Sequence, residues 1–127
     1  MNKIASGGEL SRLLLALKVC LVNASTNVTL VFDEIDRGVG GATAEAVGKR
    51  LSKIAGKCQI LIVTHSPQVA SKANRHWSVE KVLGRNQMPL TLLNQLDKKA
   101  SEGELARMIS GEKVSKEALA AAAKLIN

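Results

Sequence analysis

Residues 28–65 read VTLVFDEIDRGVGGATAEAVGKRLSKIAGKCQILIVTH, and their pattern predicts a βαβ unit. Two short apolar runs rich in β-branched residues, 28–32 and 59–63, are typical of strands buried on both faces of a parallel sheet. A glycine-rich loop separates the first run from a helix predicted over 42–55, with Gly56 at its C′ position. Strand, helix and strand in this order imply parallel strands joined by a right-handed crossover.

The segments that flank this unit predict two further helices. Ser6 and Glu9 form a capping box ahead of a Leu-rich helix expected over 6–23. After the second strand, a serine followed by proline predicts the start of a short helix over 66–73.

The last third of the chain predicts a hairpin and two helices. Capping residues mark both helix starts: Ser101, paired with Glu104, and Ser115. With the βαβ core, these elements indicate an α/β fold. The predicted elements are strands at 76–82 and 90–96 around a turn at 84–86, and helices at 101–110 and 115–126.

Length and composition bound the class of protein. The chain has 127 residues, which suits one domain, and 18 Lys and Arg against 11 Asp and Glu give a formal charge of +7. This basic excess favours a polyanionic partner, either nucleic acid or nucleotide phosphate. Phe32 and Trp77 are the only aromatic residues, which argues against a protein that stacks single-stranded bases on an aromatic platform.

The apolar stretch 13–22 is interrupted by Lys18 and is too short to cross a bilayer, so we expect no membrane partner. Cys20 and Cys58 lie among apolar residues without the spacing of a metal or redox pair. Two buried, reduced thiols predict a cytoplasmic protein.

The first run of the βαβ unit ends in two adjacent acids, Asp33 and Glu34. The carboxyl ends of parallel strands form the edge at which open α/β folds bind ligands. One carboxylate there can hold Mg²⁺ through its water shell while the other accepts a proton from an attacking water. Alternatively, these are loop acids that cap a neighbouring group.

The second run ends in Thr64 and His65. If the two strands are neighbours, His65 lies beside the acids, where an imidazole can hydrogen-bond a phosphate oxygen or hold a water. The alternative is a structural histidine.

The predicted start of the first helix is rich in small residues. Ser6, Gly7 and Gly8 leave backbone N–H groups open at the positive end of the helix dipole, which suits a phosphate. An ordinary capped helix is the alternative.

The order of these three motifs resembles the C-terminal half of an ABC-type ATPase head. On that resemblance, residues 6–8 are the signature motif, Asp33 and Glu34 are the Walker B pair, and His65 is the switch histidine. The D-loop region follows Walker B and comprises Asp36, Arg37, Gly38, Gly40 and Gly41.

Longer stretches narrow the resemblance to the RecN family, SMC-like ATPases of bacteria that act in DNA repair. The similarity lies in KIASGGELSRLLLALK, FDEIDRGVGGATAEAVGKRL and VTHSPQVASKANRHW, and the tail ELARMISGEKVSKEALAAAAKLI resembles the C-terminus of the same family. The match therefore covers nearly the whole chain. Glu9 stands where transporters usually carry Gln, which agrees with the SMC-like branch, and Arg37 stands where a smaller residue is expected.

The resemblance implies a head dimer that holds ATP and Mg²⁺ between two protomers. The signature Ser6, Gly7 and Gly8 are then expected to contact, in trans, the γ-phosphate bound by the opposite protomer. The roles implied for the other residues are Mg²⁺ orientation for Asp33, general base for Glu34, and contact with the γ-phosphate and attacking water for His65, with Gln68 as a weaker candidate at the same edge.

The sequence has no GxxxxGK pattern followed by Ser or Thr, which a P-loop requires. We therefore expect that this chain does not hydrolyse ATP by itself. Residues 1–127 resemble a C-terminal half of the head, and the P-loop belongs to a partner lobe. An isolated chain of this kind is expected to expose an apolar sheet face and either to self-associate or to rearrange its strand packing.

The resulting hypothesis is that the chain is part of an ATP-binding and hydrolysing head of a RecN-like protein in recombinational repair of DNA double-strand breaks. The implied partners are the N-terminal head lobe, a second head protomer in a homodimer, and DNA, in the cytoplasm at the nucleoid. One alternative is a head lobe of another ABC or SMC-like family. Another is a non-enzymatic DNA-binding module built on the two C-terminal helices, although the Ala-rich last helix offers few side chains that read base edges.

Overall fold

The computed structural model describes residues 28–84 and 86–126. Length alone predicted one domain, but the chain divides between Lys72 and Ala73 into two compact units, each with its own two-stranded sheet. The helix predicted over 6–23 and the turn residue Arg85 lie outside the described residues. The first unit contains β1 (Thr29–Asp33), α1 (Gly41–Ala55), β2 (Gln59–Val63) and α2 (Pro67–Ala70), and the second contains β3 (His76–Leu83), β4 (Pro89–Leu96), α3 (Lys98–Ser110) and α4 (Lys116–Ile126).

The first unit has the predicted βαβ order. β1 and β2 pair in parallel, with Phe32 opposite Ile62 and Asp33 opposite Val63, and α1 connects them. Its apolar stripe packs against one face of the strands, where burial of aliphatic and aromatic side chains stabilises the unit. The buried cluster consists of Phe32, Ala44, Val47, Leu51 and Val69.

The opposite face of the parallel pair is exposed. Val31, Leu61 and Val63 lie on this face and remain 55%, 52% and 57% exposed. The prediction that these strands are buried on both faces is therefore wrong for the structure. Helix α1 covers one face of the parallel pair and leaves the face with Val31, Leu61 and Val63 exposed. The expected exposure of an apolar sheet face is confirmed, and self-association through it stays a prediction.

Helix α1 ends without the expected left-handed glycine. Gly56 is the C-cap residue and has a helical φ of −70°. The N–H groups of the two residues after it, Lys57 and Cys58, both donate to the carbonyl of Ile54. The C′ assignment for Gly56 is therefore wrong. The chain leaves the helix through a tight turn, which leads directly into β2.

Gly48 permits close packing between α1 and α2. A Cβ at this position would lie 3.1 Å from the carbonyl oxygen of Gln68 and 3.2 Å from the Cα of Val69. Because both contacts are to backbone, the two helices approach more closely than a side chain here would allow.

The second unit begins with the predicted hairpin. β3 and β4 pair antiparallel, from His76 opposite Leu96 to Leu83 opposite Pro89. The turn closes when the N–H of Gly84 donates to the carbonyl of Met88 at 2.9 Å.

Two helices complete the second unit, and one of them begins earlier than predicted. Asp97, not Ser101, is the N-cap of α3, and its Oδ1 accepts a bond from the N–H of Ala100 at 2.7 Å. Ser115 caps α4 as predicted, since its Oγ accepts from the N–H of Ala118 at 3.1 Å. The helices contribute small and apolar buried side chains, namely Leu105, Ala106, Ala118 and Ala122.

Candidate active site

The carboxyl ends of β1 and β2 meet at one edge of the parallel pair. The N–H of Glu34 donates to the carbonyl of Val63 at 2.9 Å, one step beyond the pairing of Asp33 with Val63. This register brings Asp33, the last residue of β1, and Glu34 after it to the same edge as Thr64 and His65 after β2. The juxtaposition expected from the sequence is present, and it follows from parallel pairing in this register.

Glu34 adopts an uncommon backbone conformation at this edge. Its φ is +45°, in the left-handed region that side chains with a Cβ seldom enter, and its carbonyl accepts a bond from the N–H of Arg37 at 3.0 Å. A strained residue of this kind at a ligand-binding edge is typical of functional sites. The turn points the chain away from the strand directly after the acid pair.

The Glu34 carboxylate is open to solvent and faces Arg37, its one ion-pair partner among the described residues. Nη1 of Arg37 lies 3.6 Å from Oε2 of Glu34, and the two side chains are 81% and 48% exposed, respectively. An exposed pair at this distance is weak, so Glu34 remains free to bind water or a ligand. Arg37, the position that departs from the expected pattern, thus lies beside the candidate base.

Asp33 is the last residue of β1 and is exposed on the outer face of the pair. Among the described residues there is no group of three or more His, Cys, Asp and Glu side chains that could hold a metal ion. Mg²⁺ commonly keeps several waters and binds through one or two carboxylates together with substrate phosphates. A single exposed carboxylate at the sheet edge fits that mode of binding.

Asp36 is buried, unlike the two acids before it. Its side chain is at the centre of the turn after β1, the residue is only 3% exposed, and its Oδ2 accepts a hydrogen bond from the Oγ1 of Thr64. The same Thr64 oxygen accepts a bond from the N–H of Ser66 at 2.9 Å. No donor among the described residues reaches the other carboxylate oxygen, Oδ1.

Gln68 joins the segment after β2 to the start of α1. Its Oε1 accepts a bond from the Oγ of Ser66 at 2.9 Å, and its Nε2 lies 3.6 Å from where a Cβ on Gly41 would be. Ser66 is the N-cap of α2 with Pro67 after it, as predicted, although the hydroxyl binds Gln68 and does not cap the helix. The helix itself ends at Ala70, earlier than expected.

The glycines of the segment predicted to be the D-loop differ in conformation. Gly38 has a φ of +73°, which favours glycine, and the N–H of Val39 donates to the carbonyl of Asp36 to close this turn. Gly40 is extended and is the N-cap of α1, while Gly41 is its first residue. Gly40 and Gly41 therefore lie between the acidic edge and the helix.

The structure adds Thr64 and Ser66 to the residues that organise this edge. The sequence contained one signal for this arrangement: Thr64 directly follows β2, and Asp36 lies three positions beyond the end of β1. The predicted phosphate-binding residues Ser6, Gly7 and Gly8 lie outside the described residues. No helix in the described ranges is long and apolar enough to span a membrane.

No family model matches the chain. Curated relatives match it over nearly its whole length. It is 45% identical over 126 residues to the DNA repair protein RecN of Rickettsia bellii, a match that covers 99% of this chain and 23% of the relative. It is 48% identical over 128 residues to RecN of Xylella fastidiosa strain Temecula1, covering 99% of this chain and 22% of the relative. It is 42% identical over 129 residues to RecN of Haemophilus influenzae, covering 100% and 23%.

A solved SMC ATPase structure shares the fold. The solved structure is described in terms of ATP-driven dimerization and DNA-stimulated activation of SMC ATPases. Its chain matches with a TM-score of 0.65 at 18% identity, and the match covers 85% of this chain and 64% of the solved one. The chain spans less than a quarter of the length of the RecN relatives. The chain is thus similar in sequence to one segment of the RecN proteins, and its α/β fold is similar to that of an SMC ATPase.

Proposed function

We propose that this chain is the C-terminal part of an ATP-binding and hydrolysing head in recombinational repair of DNA double-strand breaks. The observation that carries the proposal is the hydrogen bond from the Glu34 N–H to the Val63 carbonyl, because it joins the acid-bearing turn to the segment with His65. The similarity to proteins named for DNA repair supports the biological setting.

Each residue at this edge has a role that its environment supports. Glu34 is solvent-exposed with one weak ion pair, so its carboxylate can accept a proton from a water that attacks the γ-phosphate. Exposed His65 follows the anchored Thr64 and can donate a hydrogen bond to a phosphate oxygen. Asp33 would hold Mg²⁺ through water, and the ion would neutralise charge on the phosphates.

The rest of the site comes from outside the described residues. Ser6, Gly7 and Gly8 of one protomer would contact the γ-phosphate held by the P-loop and Walker B of the other. A second head protomer and the lobe with the P-loop are therefore partners in this proposal. DNA is the further partner, and the protein acts in the cytoplasm at the nucleoid.

The test is ATP hydrolysis by the full-length protein that contains this chain. Glu34→Gln keeps the shape of the side chain but removes the base, so we expect turnover to fall by about 10²- to 10⁴-fold. Glu45→Gln is the matched control, because Glu45 lies on α1 and pairs with Lys49 at 2.7 Å. Wild-type turnover in Glu34→Gln would reject the Walker B assignment.

This chain by itself is expected to be inactive. Mixing it with the N-terminal lobe that carries the P-loop should restore hydrolysis if the two parts form one head. Hydrolysis by the chain alone would contradict the division of the site between two lobes.

The alternative of a DNA-binding helix pair has less support. Ala118 and Ala122 of α4 are buried, and α4 is capped and packed as part of the second unit. A gel shift with the chain alone tests this alternative, since it predicts salt-sensitive, nucleotide-independent DNA binding.

A further inference from the structure

Two hydrogen bonds connect the turn after β1 to the segment after β2. One is a backbone bond, from the N–H of Glu34 to the carbonyl of Val63 at 2.9 Å. The other joins side chains, from the Oγ1 of Thr64 to the Oδ2 of Asp36. Glu34 lies two residues before Asp36, and His65 directly follows Thr64. The side-chain bond thus lies within two residues of both groups to which the proposed function assigns chemistry.

We propose that Thr64 is a positioning residue for hydrolysis, whose hydroxyl, anchored on the buried Asp36, holds His65 at a set place relative to Glu34. This inference rests on the proposed function and extends it to a residue to which that function assigns no contact with nucleotide or attacking water. Thr64 acts through its neighbours along the chain and across the sheet edge.

Burial of Asp36 makes this anchor stiff. The residue is 3% exposed, and a carboxylate removed from water is costly unless it is hydrogen-bonded. Within the described ranges, Oδ1 has no donor, and the Thr64 hydroxyl is the side-chain donor that reaches this carboxylate, at Oδ2. A bond to a charged, buried acceptor is stronger than one between neutral groups and restricts both partners.

The same oxygen also shapes the chain around His65. Thr64 Oγ1 accepts from the N–H of Ser66 at 2.9 Å, so the residues on both sides of His65 are bonded to each other. Ser66 in turn donates to Gln68 at 2.9 Å. His65 is therefore held at the tip of a local turn while its side chain stays exposed.

The experiment compares Thr64→Val and Thr64→Ser in the full-length protein. Valine keeps the branched shape and removes the hydroxyl, whereas serine keeps the hydroxyl. We expect Thr64→Val to lower kcat for ATP hydrolysis by about tenfold or more, the factor that corresponds to loss of a hydrogen bond to a charged group. KM should stay within about twofold, because in the proposed function the P-loop lobe makes most of the phosphate contacts and His65 adds a single one. Thr64→Ser should return kcat to near the wild-type value.

Hydrogen exchange gives a readout that does not depend on activity. The Ser66 amide should exchange faster in Thr64→Val than in the wild type, and at the wild-type rate in Thr64→Ser. Thr91→Val is the matched control, since Thr91 is exposed on β4 and should change neither kcat nor Ser66 exchange. Should Thr64→Val fail to fold, Asp36→Asn takes its place: a neutral acceptor weakens the bond and should lower kcat severalfold.

The outcomes separate the two proposals. Wild-type kcat in Thr64→Val or in a folded Asp36→Asn overturns the positioning role, as does a Thr64→Ser variant as slow as Thr64→Val. Absence of ATP hydrolysis in the wild-type full-length protein overturns the proposed function itself, and with it the kinetic role of Thr64. Reduced kcat with unchanged KM, serine rescue and faster Ser66 exchange in the valine variant support the inference.

Discussion

Nδ1 of His76 lies 2.8 Å from Oγ of Ser101, a hydrogen bond that joins the first residue of β3 to the first turn of α3. The bond explains why Ser101 does not cap the helix: its hydroxyl is engaged with the hairpin, and Asp97 takes the N-cap position. Asp97 marks the start of α3, and a contact between residues 25 positions apart ties the first turn of that helix to the hairpin.

The half-buried His76 is expected to make the second unit sensitive to acid. Burial lowers the pKa of His76 below its usual 6.5, an effect that the nearby Glu104 carboxylate only partly opposes. The imidazole of His76 therefore binds its proton at a higher pH in the unfolded chain than in the folded unit. The free energy of unfolding that neutral His76 contributes is present above pH 6.5 and is lost as the pH falls below 6.5. We expect the thermal midpoint of the chain to drop between about pH 7.5 and about pH 5.5.

His76→Gln should flatten this pH dependence, because the group that titrates is gone. His65→Gln is the control, since His65 is exposed in the first unit and its replacement should leave the pH profile in place. Calorimetry across this pH range measures both variants. An equally steep profile in His76→Gln would contradict the prediction.

Gly48 and Gly103 are both helical glycines, but Gly48 is closely packed against neighbouring backbone and Gly103 is not. Alanine at either gains up to about 1 kcal/mol of helix propensity. At Gly48, however, its Cβ would press against the backbone of Gln68 and Val69, whereas nothing lies within 4 Å at Gly103. We expect Gly103→Ala to raise the free energy of unfolding and Gly48→Ala to lower it by about 1 kcal/mol or more, as overpacking does. Urea unfolding of both variants checks this, and a stabilised Gly48→Ala would refute the close packing of α1 on α2.

Gly38 and Gly40 allow a matched test within the D-loop region. Gly38 has a φ of +73°, where a Cβ costs about 1–2 kcal/mol, while Gly40 has a φ of −67° that any residue adopts. Gly38→Ala should therefore destabilise the chain more than Gly40→Ala, whose cost is limited to the weaker N-cap that alanine provides. Equal effects on the denaturant midpoint would mean that the left-handed turn is not required.

The caps of α3 can be distinguished by alanine substitution. Asp97→Ala removes the acceptor for the Ala100 N–H and should cost about 1 kcal/mol, and Asp97→Asn should restore most of it. Ser101→Ala leaves the cap intact and removes the hydroxyl that contacts His76, so its effect should depend on whether His76 is present. If Ser101→Ala and His76→Gln are strictly additive in urea unfolding, the contact contributes nothing to stability.

Much of the architecture follows from local patterns in the chain. The β-branched runs predict β1 and β2 to within one residue at each end, and the intervening glycines and alanines predict α1. The hairpin is also as predicted, with each strand one residue longer. These elements are predictable because side-chain periodicity and turn residues act over a few positions.

The sequence by itself also determined that Asp33, Glu34 and His65 share an edge, because each lies within two residues of the end of a parallel strand. It did not determine that Asp36 is buried beneath that edge, that Thr64 binds it, or that only one face of the strands is covered. Those features depend on strand register and on the packing of α1, which bring together residues far apart in the chain. Whether an acid is a solvated ligand or a buried anchor depends on those neighbours, and only the tertiary structure supplied them.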